Sequence, residues 1–320
     1  MAVIAAPSPA APAAPAARAP RRRWRDNDLV YSFFRSRVTV VATIVTLAIV
    51  LSAVLAPWIA PHDPFDVRQL NLMNSHLPPV WAAEGERQFL LGTDDQGRDV
   101  LSTILYGSRS SIAIGVLSVA LAATLGIVLG LIAGYAGGTL DAVIMRIADV
   151  QLTFPAILIA LLIDGCVRAL VGEQRNEQMA FWVLVFSIGL SFWVQYARTV
   201  RGSTMVEKSK DYVAAARLIG IHPAMILLRH ILPNVTGPVL VIATINLALA
   251  VILEATLSFL GVGLPPTQPS LGTLIRIGNN FLFAGEWWIA IFPGITLAAL
   301  VLAVNLVGDW LRDALNPKLR

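Results

Sequence analysis

The sequence predicts an all-α, polytopic membrane protein with six transmembrane helices, and three observations lead there. Of 320 residues, 56% are hydrophobic and only 14% charged, with a mean hydropathy of +0.70, outside the range of ordinary soluble domains. Six segments approach the roughly 20 apolar residues that a spanning helix needs. The basic residues gather at the flanks of those segments in a pattern that fits a single topology.

The opening stretch, MAVIAAPSPAAPAAPAARAP, is Ala/Pro low complexity, so residues 1–30 are expected to form a disordered cytoplasmic tail ahead of a transmembrane domain over residues 31–320. Arg18, Arg21, Arg22, Arg23, Arg25, Arg35 and Arg37 precede the first apolar run, which places the N-terminus in the cytoplasm. That run, Val38 to Ala56, is long enough to span, lies behind too long a leader for a signal peptide, and is followed by further apolar runs, so it is a retained helix. Pro57 closes it and Trp58 suits the interface. The segment at about 60–111 is then external, its Asp63, Asp66, Glu84, Glu86, Asp94, Asp95 and Asp99 offset by Arg68, Arg87, Arg98 and Arg109.

The second span, Ile112 to Tyr135, carries Gly115, Gly126, Gly130 and Gly134, a small-residue face that lets another helix approach closely; packing within the chain is preferred to a dimer seam. The third, Ala142 to Ile163, holds Arg146 and Asp149 near its inner end, where long side chains reach the interface. The fourth runs from Ala180 to Val200. An inner loop at about 201–234 follows, with Arg198, Arg201, Lys208, Lys210, Arg217 and Arg229 in and around it. The fifth and sixth spans are Thr236 to Phe259 and Trp287 to Trp310, and an even count returns the C-terminus, with Arg312, Lys318 and Arg320, to the cytoplasm.

Several function classes are disfavoured. The single cysteine, Cys166, rules out an internal disulfide framework, and none of His62, His76, His222 and His230 stands three or four residues from another, so no metal site is expected. The net charge of +4 is explained by membrane orientation rather than nucleic acid. No catalytic residue is assigned: GSRSSIAIG puts Arg109 where a serine nucleophile would stand, and H-E-x-x-H is absent. A phosphate-binding P-loop needs Gly-Lys before Ser or Thr, whereas Lys208, Lys210 and Lys318 follow Glu, Ser and Pro. Energy for any transport must come from another polypeptide or from an ion gradient. The gradient alternative rests on Glu254 and Asp309, with Asn246 and Asn305 as polar neighbours; both acids lie toward span ends, which favours a structural role.

The inner loop contains DYVAAARLIGIHPAMILLRHILPN, Asp211 to Asn234. Asp211 suits the N-cap of a helix over Tyr212 to Ile219, Gly220 suits the left-handed residue that ends it, and Pro223 starts a second helix that Pro233 is expected to end. Ala214, Ala215 and Ala216 give the first helix a smooth surface able to enter a cleft. This order resembles the EAA loop of ABC importer permeases: Ala215, Ala216, Gly220, Leu232 and Pro233 match at the family spacing, while Ala214 replaces the Glu and His230 the Ile. LGTDDQGRDVLSTILYGSRSSIAIG, GLIAGYAGGTLDAVIMRIADV, ILEATLSFLGVGLPPTQPSLG and NLVGDWLRDALNP resemble corresponding segments of the C-type permease subunit of dipeptide and oligopeptide ABC importers. The likeness extends from about Tyr31 to the end.

The resemblance implies a type I ABC importer permease fold in a bacterial inner membrane, with both termini cytoplasmic. It implies a heterodimer with a homologous B-type permease, two ATP-binding subunits that carry the ATP and Mg, and an extracytoplasmic substrate-binding protein. It makes the loop a coupling helix, with Asp211, Ala215, Ala216 and Gly220 as its coupling residues. The expected cargo is di- or oligopeptides, with nickel or another small solute as the alternative within this permease type. The external LGTDDQGRDVL reads as a solvated loop held by local Asp and Arg pairs or, by the resemblance, as an outer structural element near the binding-protein docking surface; a structural role is preferred, and none of its residues is assigned to substrate.

Overall fold

The computed structural model describes residues 28–66, 70–172 and 176–315. The tail up to residue 27, with Arg18 to Arg25, lies outside the described residues, as do Arg68, Lys318 and Arg320. Among the described residues there is no strand, only an isolated bridge between Thr93 and Asp99.

The chain enters through α1 (Asp28–Arg35) and α2 (Arg37–Val54), separated by Ser36, whose hydroxyl accepts from the Thr39 amide at 3.2 Å. A short α3 (Ala56–Ile59) takes Pro57 into its first turn, where a missing N–H is harmless. The next long helix, α4 (Val100–Ala136), starts well before the expected Ile112. Its 37 residues give a length of about 55 Å, so the segment expected to be external ends near residue 99 and the helix exceeds a hydrocarbon layer of about 30 Å.

The expected third span is corrected. It is two helices, α5 (Gly138–Leu152) and α6 (Ala156–Val171), bent by 94°. Pro155 lacks an amide proton and disfavours helical geometry at Phe154, and the Thr153 hydroxyl turns back to the Val150 carbonyl at 2.6 Å. Among the described residues, five helices are therefore long and apolar enough to cross a membrane, six if the bent pair counts as one span. Asp141 and Asp149 of α5 pair with Arg201 and Arg198 of α7 (Glu177–Glu207). The guanidinium of Arg201 grips Asp141 with two bonds of 2.5 and 2.6 Å.

The most extensive helix contact is α4 on α7. A Cβ on Gly126 would stand 2.3 Å from Tyr196 Cβ, on Gly130 2.6 Å from the Ala197 carbonyl oxygen, and on Gly134 2.7 Å from Thr204 Cβ. The glycine face is thus consumed inside the chain. Against this pair pack α10 (Leu232–Phe259) and then α11 (Leu271–Phe281) and α12 (Trp288–Leu315).

Glu254 of α10 is fully buried and joins three helices. Its carboxylate accepts from Ser111 of α4 at 2.7 Å and from Ser258 at 2.6 Å, while the Ser111 hydroxyl accepts from the Leu271 amide at the start of α11. These bonds give it the structural role expected of it; Asp309, the other acid considered, is exposed.

The external segment departs from a solvated loop. Asp94 and Arg98 are each 2% exposed, and the Asp94 carboxylate accepts from the Gln96 and Arg98 amides and from Arg98 Nε at 2.7 Å. Arg98 also donates to the Pro266 carbonyl, and Trp288 to that of Thr93, which clamps the segment onto the loop after α10 and onto α12.

Gly130→Val is expected to force α4 from α7 and lower the melting temperature of the purified protein, by an overpacking cost of about 1–3 kcal/mol. Gly165→Ala in α6, where an added Cβ meets nothing within 4 Å, is the control. Burial, reinforced by the Asp94 carboxylate, holds Asp95 above the ordinary carboxylate range. The folded state then binds this proton more tightly than the unfolded, so stability falls as pH rises from the unfolded to the folded value. Asp95→Asn should raise Tm at pH 7, with the advantage shrinking toward pH 3, as thermal scans across that range will read.

Candidate coupling site

The inner loop is tied to the bundle before it turns. Lys208, closing α7, donates through Nζ to the Gly134 carbonyl at 2.8 Å, so the ends of α4 and α7 are joined. The Glu207 carboxylate accepts from Lys210 Nζ and from the Tyr212 hydroxyl, each at 2.6 Å. Burial, aided by the Glu207 carboxylate, pushes the Tyr212 phenol above its ordinary value, so it stays protonated and donating at neutral pH.

The loop helix, α8 (Asp211–Leu218), starts one residue earlier than the sequence suggests. Lys210 is its N-cap and no side chain caps it; Asp211 stands inside the first turn, where its charge complements the helix dipole. This corrects the capping role expected of Asp211. At the other end, the Ile221 amide donates to the Ala216 carbonyl and the Gly220 amide to that of Arg217, both at 3.1 Å, the paired bonds of a Schellman ending. Gly220 has φ +80°, the left-handed value that this ending requires.

Burial divides the predicted residues. Val213 and Ala216 face inward and join the core with Ile226, Ile231 and Val235. Ala216 therefore holds the helix in place and offers no surface to a partner. Asp211, Ala214, Ala215 and Gly220 face outward, together with Leu218 and Ile219, which are 87% and 75% exposed. Those two large apolar residues are the part of the surface that the alanine pattern did not reveal; their spacing from Asp211 and Ala215, at seven and four residues to Leu218 and Ile219, was the available signal. Arg217 lies over the Tyr135 ring at 4.9 Å, a further tie to α4.

The second helix does not stop at Pro233. A short α9 (Pro223–Met225) leads through a π-helical turn, Ile226–Ile231, directly into α10, so one helical column runs from Pro223 to Phe259. Pro233 falls in the first turn of α10, after the widened turn, where the Leu232 amide reaches back to the Leu227 carbonyl. Asn234 Nδ2 donates to the His230 carbonyl at 2.8 Å and to the Tyr212 hydroxyl at 3.2 Å, which binds the column to α8. The arrangement can present a firm, small-residue face with an apolar tip and transmit its displacement into a spanning helix. Among the described residues no group of three or more His, Cys, Asp or Glu is placed to share a metal ion.

Comparison with known proteins agrees with this architecture. Residues 126–320 match the model of the binding-protein-dependent transport system inner membrane component family, and residues 23–79 match the N-terminal transmembrane domain of oligopeptide transport permease C. The chain is 39% identical over 290 residues to the dipeptide transport system permease protein DppC of Haemophilus influenzae, covering 91% of this chain and 94% of that one. It is 38% identical to the glutathione transport system permease protein GsiD of Pectobacterium atrosepticum, covering 94% and 93%. A solved structure of the MetNI methionine ABC transporter, in an inward-facing conformation, contains a chain that superposes with a TM-score of 0.52 at 21% identity, covering 68% of this chain and 97% of that one. That likeness establishes the type I importer permease fold. The chain belongs to the family of binding-protein-dependent transport system inner membrane components, as a multi-pass permease of an ABC importer.

Proposed function

We propose that this permease translocates di- and oligopeptides by alternating access, driven by ATP that partner subunits hydrolyse. Peptide cargo is carried by one observation: similarity to dipeptide permeases extends over nine-tenths of both chains, 91% and 94% in the Haemophilus influenzae case. The partners are a homologous B-type permease, two ATP-binding subunits and an extracytoplasmic binding protein. Both termini face the cytoplasm, which puts α8 at the cytoplasmic surface, where the basic residues of the inner loop lie.

The coupling surface is the outward face of α8. Ala214 and Ala215 allow close approach, Leu218 and Ile219 supply apolar area to bury, and Asp211 offers a charge at the rim. Closure of the ATPases pushes this face; the tie from Tyr212 and Asn234 carries the push into α10, and the permease pair opens outward to receive cargo. An ion-coupled carrier is disfavoured because Glu254, its best acid, is engaged by two serine hydroxyls.

Cells that lack this chain should lose uptake of a labelled dipeptide or pentapeptide and regain it on complementation; loss of nickel or glutathione uptake alone would reassign the cargo. Gly220→Val places a branched side chain at φ +80° with no steric neighbour within 4 Å. It should cut peptide uptake by about tenfold, a loss of about 1.4 kcal/mol in coupling, while the amount in the membrane is maintained. Uptake at the parental rate would remove Gly220 from the coupling site. Ala215→Asp should release the ATPase subunits on co-purification without lowering Tm, whereas Ala216→Leu should lower Tm because its Cβ is in the core; equal effects at the two positions would contradict the assigned face.

A further inference from the structure

At the end of the bundle opposite α8, two cavities adjoin across Leu264. The larger, about 510 Å³, is lined by Arg109, Glu177, Gln178 and Gln268 among the rings of Tyr106 and Phe181. The smaller, about 190 Å³, lies among Arg168, Arg276, Asn176 and the loop from Gly261 to Pro266. Adjacent residues of one helix start, Asn176 and Glu177, therefore serve one cavity each.

Two guanidinium groups flank Gly261 in the smaller cavity. Arg168 is satisfied: its Nε donates to Asp164 at 2.5 Å and its Nη2 to the Gly261 carbonyl at 3.1 Å. Arg276 arrives from α11, close enough that a Cβ on Gly261 would stand 3.1 Å from its Nη1. Its Nε is sealed from solvent and finds no acceptor among the described residues. A buried donor on a charged group left without an acceptor is costly, and a planar guanidinium is matched best by a carboxylate. Arg109, by contrast, is exposed, so solvent satisfies it.

The opposite charge stands next door. Glu177 accepts from the Thr267 hydroxyl through Oε1, and no described residue donates to Oε2. A cation bound there and an anion bound at Arg276 would lie on either side of Leu264.

We propose that these two cavities, which share Leu264 in their linings, together form a receiving site for a short peptide, its C-terminal carboxylate on Arg276 and its ammonium at Glu177. The inference rests on the peptide reading above and adds to it a site within the membrane subunit itself. Arg276 and Glu177 thus recognise what every unmodified linear peptide shares, a charge of each sign at its ends, and the apolar and aromatic walls accept varied side chains.

The test uses the purified complete transporter without its binding protein, titrated calorimetrically with alanylalanine, alanylalanine amide and N-acetylalanylalanine. The parental complex should bind the zwitterion at least tenfold more tightly than either blocked peptide. Arg276→Gln should bring acid and amide to within twofold while Arg276→Lys keeps part of the difference, and Glu177→Gln should remove the preference over the acetylated peptide. Co-purification of all subunits checks that each variant is assembled. No binding, no preference in the parental complex, or a tenfold preference surviving Arg276→Gln would each overturn the site. A preference that appears only when binding protein is added would assign the recognition to that protein and overturn the site as well. If deleting the chain leaves dipeptide uptake intact, the peptide reading itself fails; if uptake is lost but the titrations show no role for Arg276, only the site does.

Discussion

The close approach of α4 to α7 is the constraint on which the rest of the molecule depends. Lipid gives apolar helices no hydrophobic reason to separate from it, so association must come from tight packing and polar contacts. Glycines at 126, 130 and 134 remove the side chains that would hold the backbones apart, and Tyr196, Ala197 and Thr204 fill the space. Because the seam extends to the inner ends of both helices, Lys208 can cap the carbonyl of Gly134, and α8 starts from a fixed point. The same seam sets the position of α5, which the Arg198 and Arg201 pairs hold to the α7 surface.

At the other end the organising contacts are polar. Glu254, Ser111 and the Leu271 amide fasten α10, α4 and α11 together. Asp94 and Arg98 fold the external segment into a buried turn whose guanidinium holds the Pro266 carbonyl. Both contacts converge on the loop from Gly261 to Ser270 and the helix start that follows it, and this loop also lines both cavities. Breaking either partner of such a buried pair leaves the other without its bond, so these contacts fix one arrangement of the loop.

Much of this was legible in the residues. Apolar length located the spans, the glycine spacing located a helix seam, and Gly220 with Pro223 located the end of α8. The break at Pro155 was missed because hydropathy stays high through Phe154 to Ile163, and apolar content carries no information about direction. Pro233 misled in the opposite sense, since a widened turn ahead of it satisfies the backbone without ending the helix. The burial of Asp94 and Arg98 was unreadable for a different reason: a charged, turn-rich string looks the same whether its partners are water or a loop more than 160 residues away. The outward face of α8 was half visible, since three consecutive alanines show a small surface but only the helix phase shows that Ala216 points inward.

The column from Pro223 to Phe259 carries a consequence for timing. It starts beside α8 and ends at the loop that walls the outer cavities, with one wide turn near its inner end and Pro238 a little beyond. A strut of 37 residues, about 55 Å long, cannot shift at one end and leave the other unmoved, except by flexing at those two joints. A displacement at α8 and a displacement at the loop after α10 are then readings of a single coordinate, and the stiffness of residues 226–238 sets how much slack lies between them.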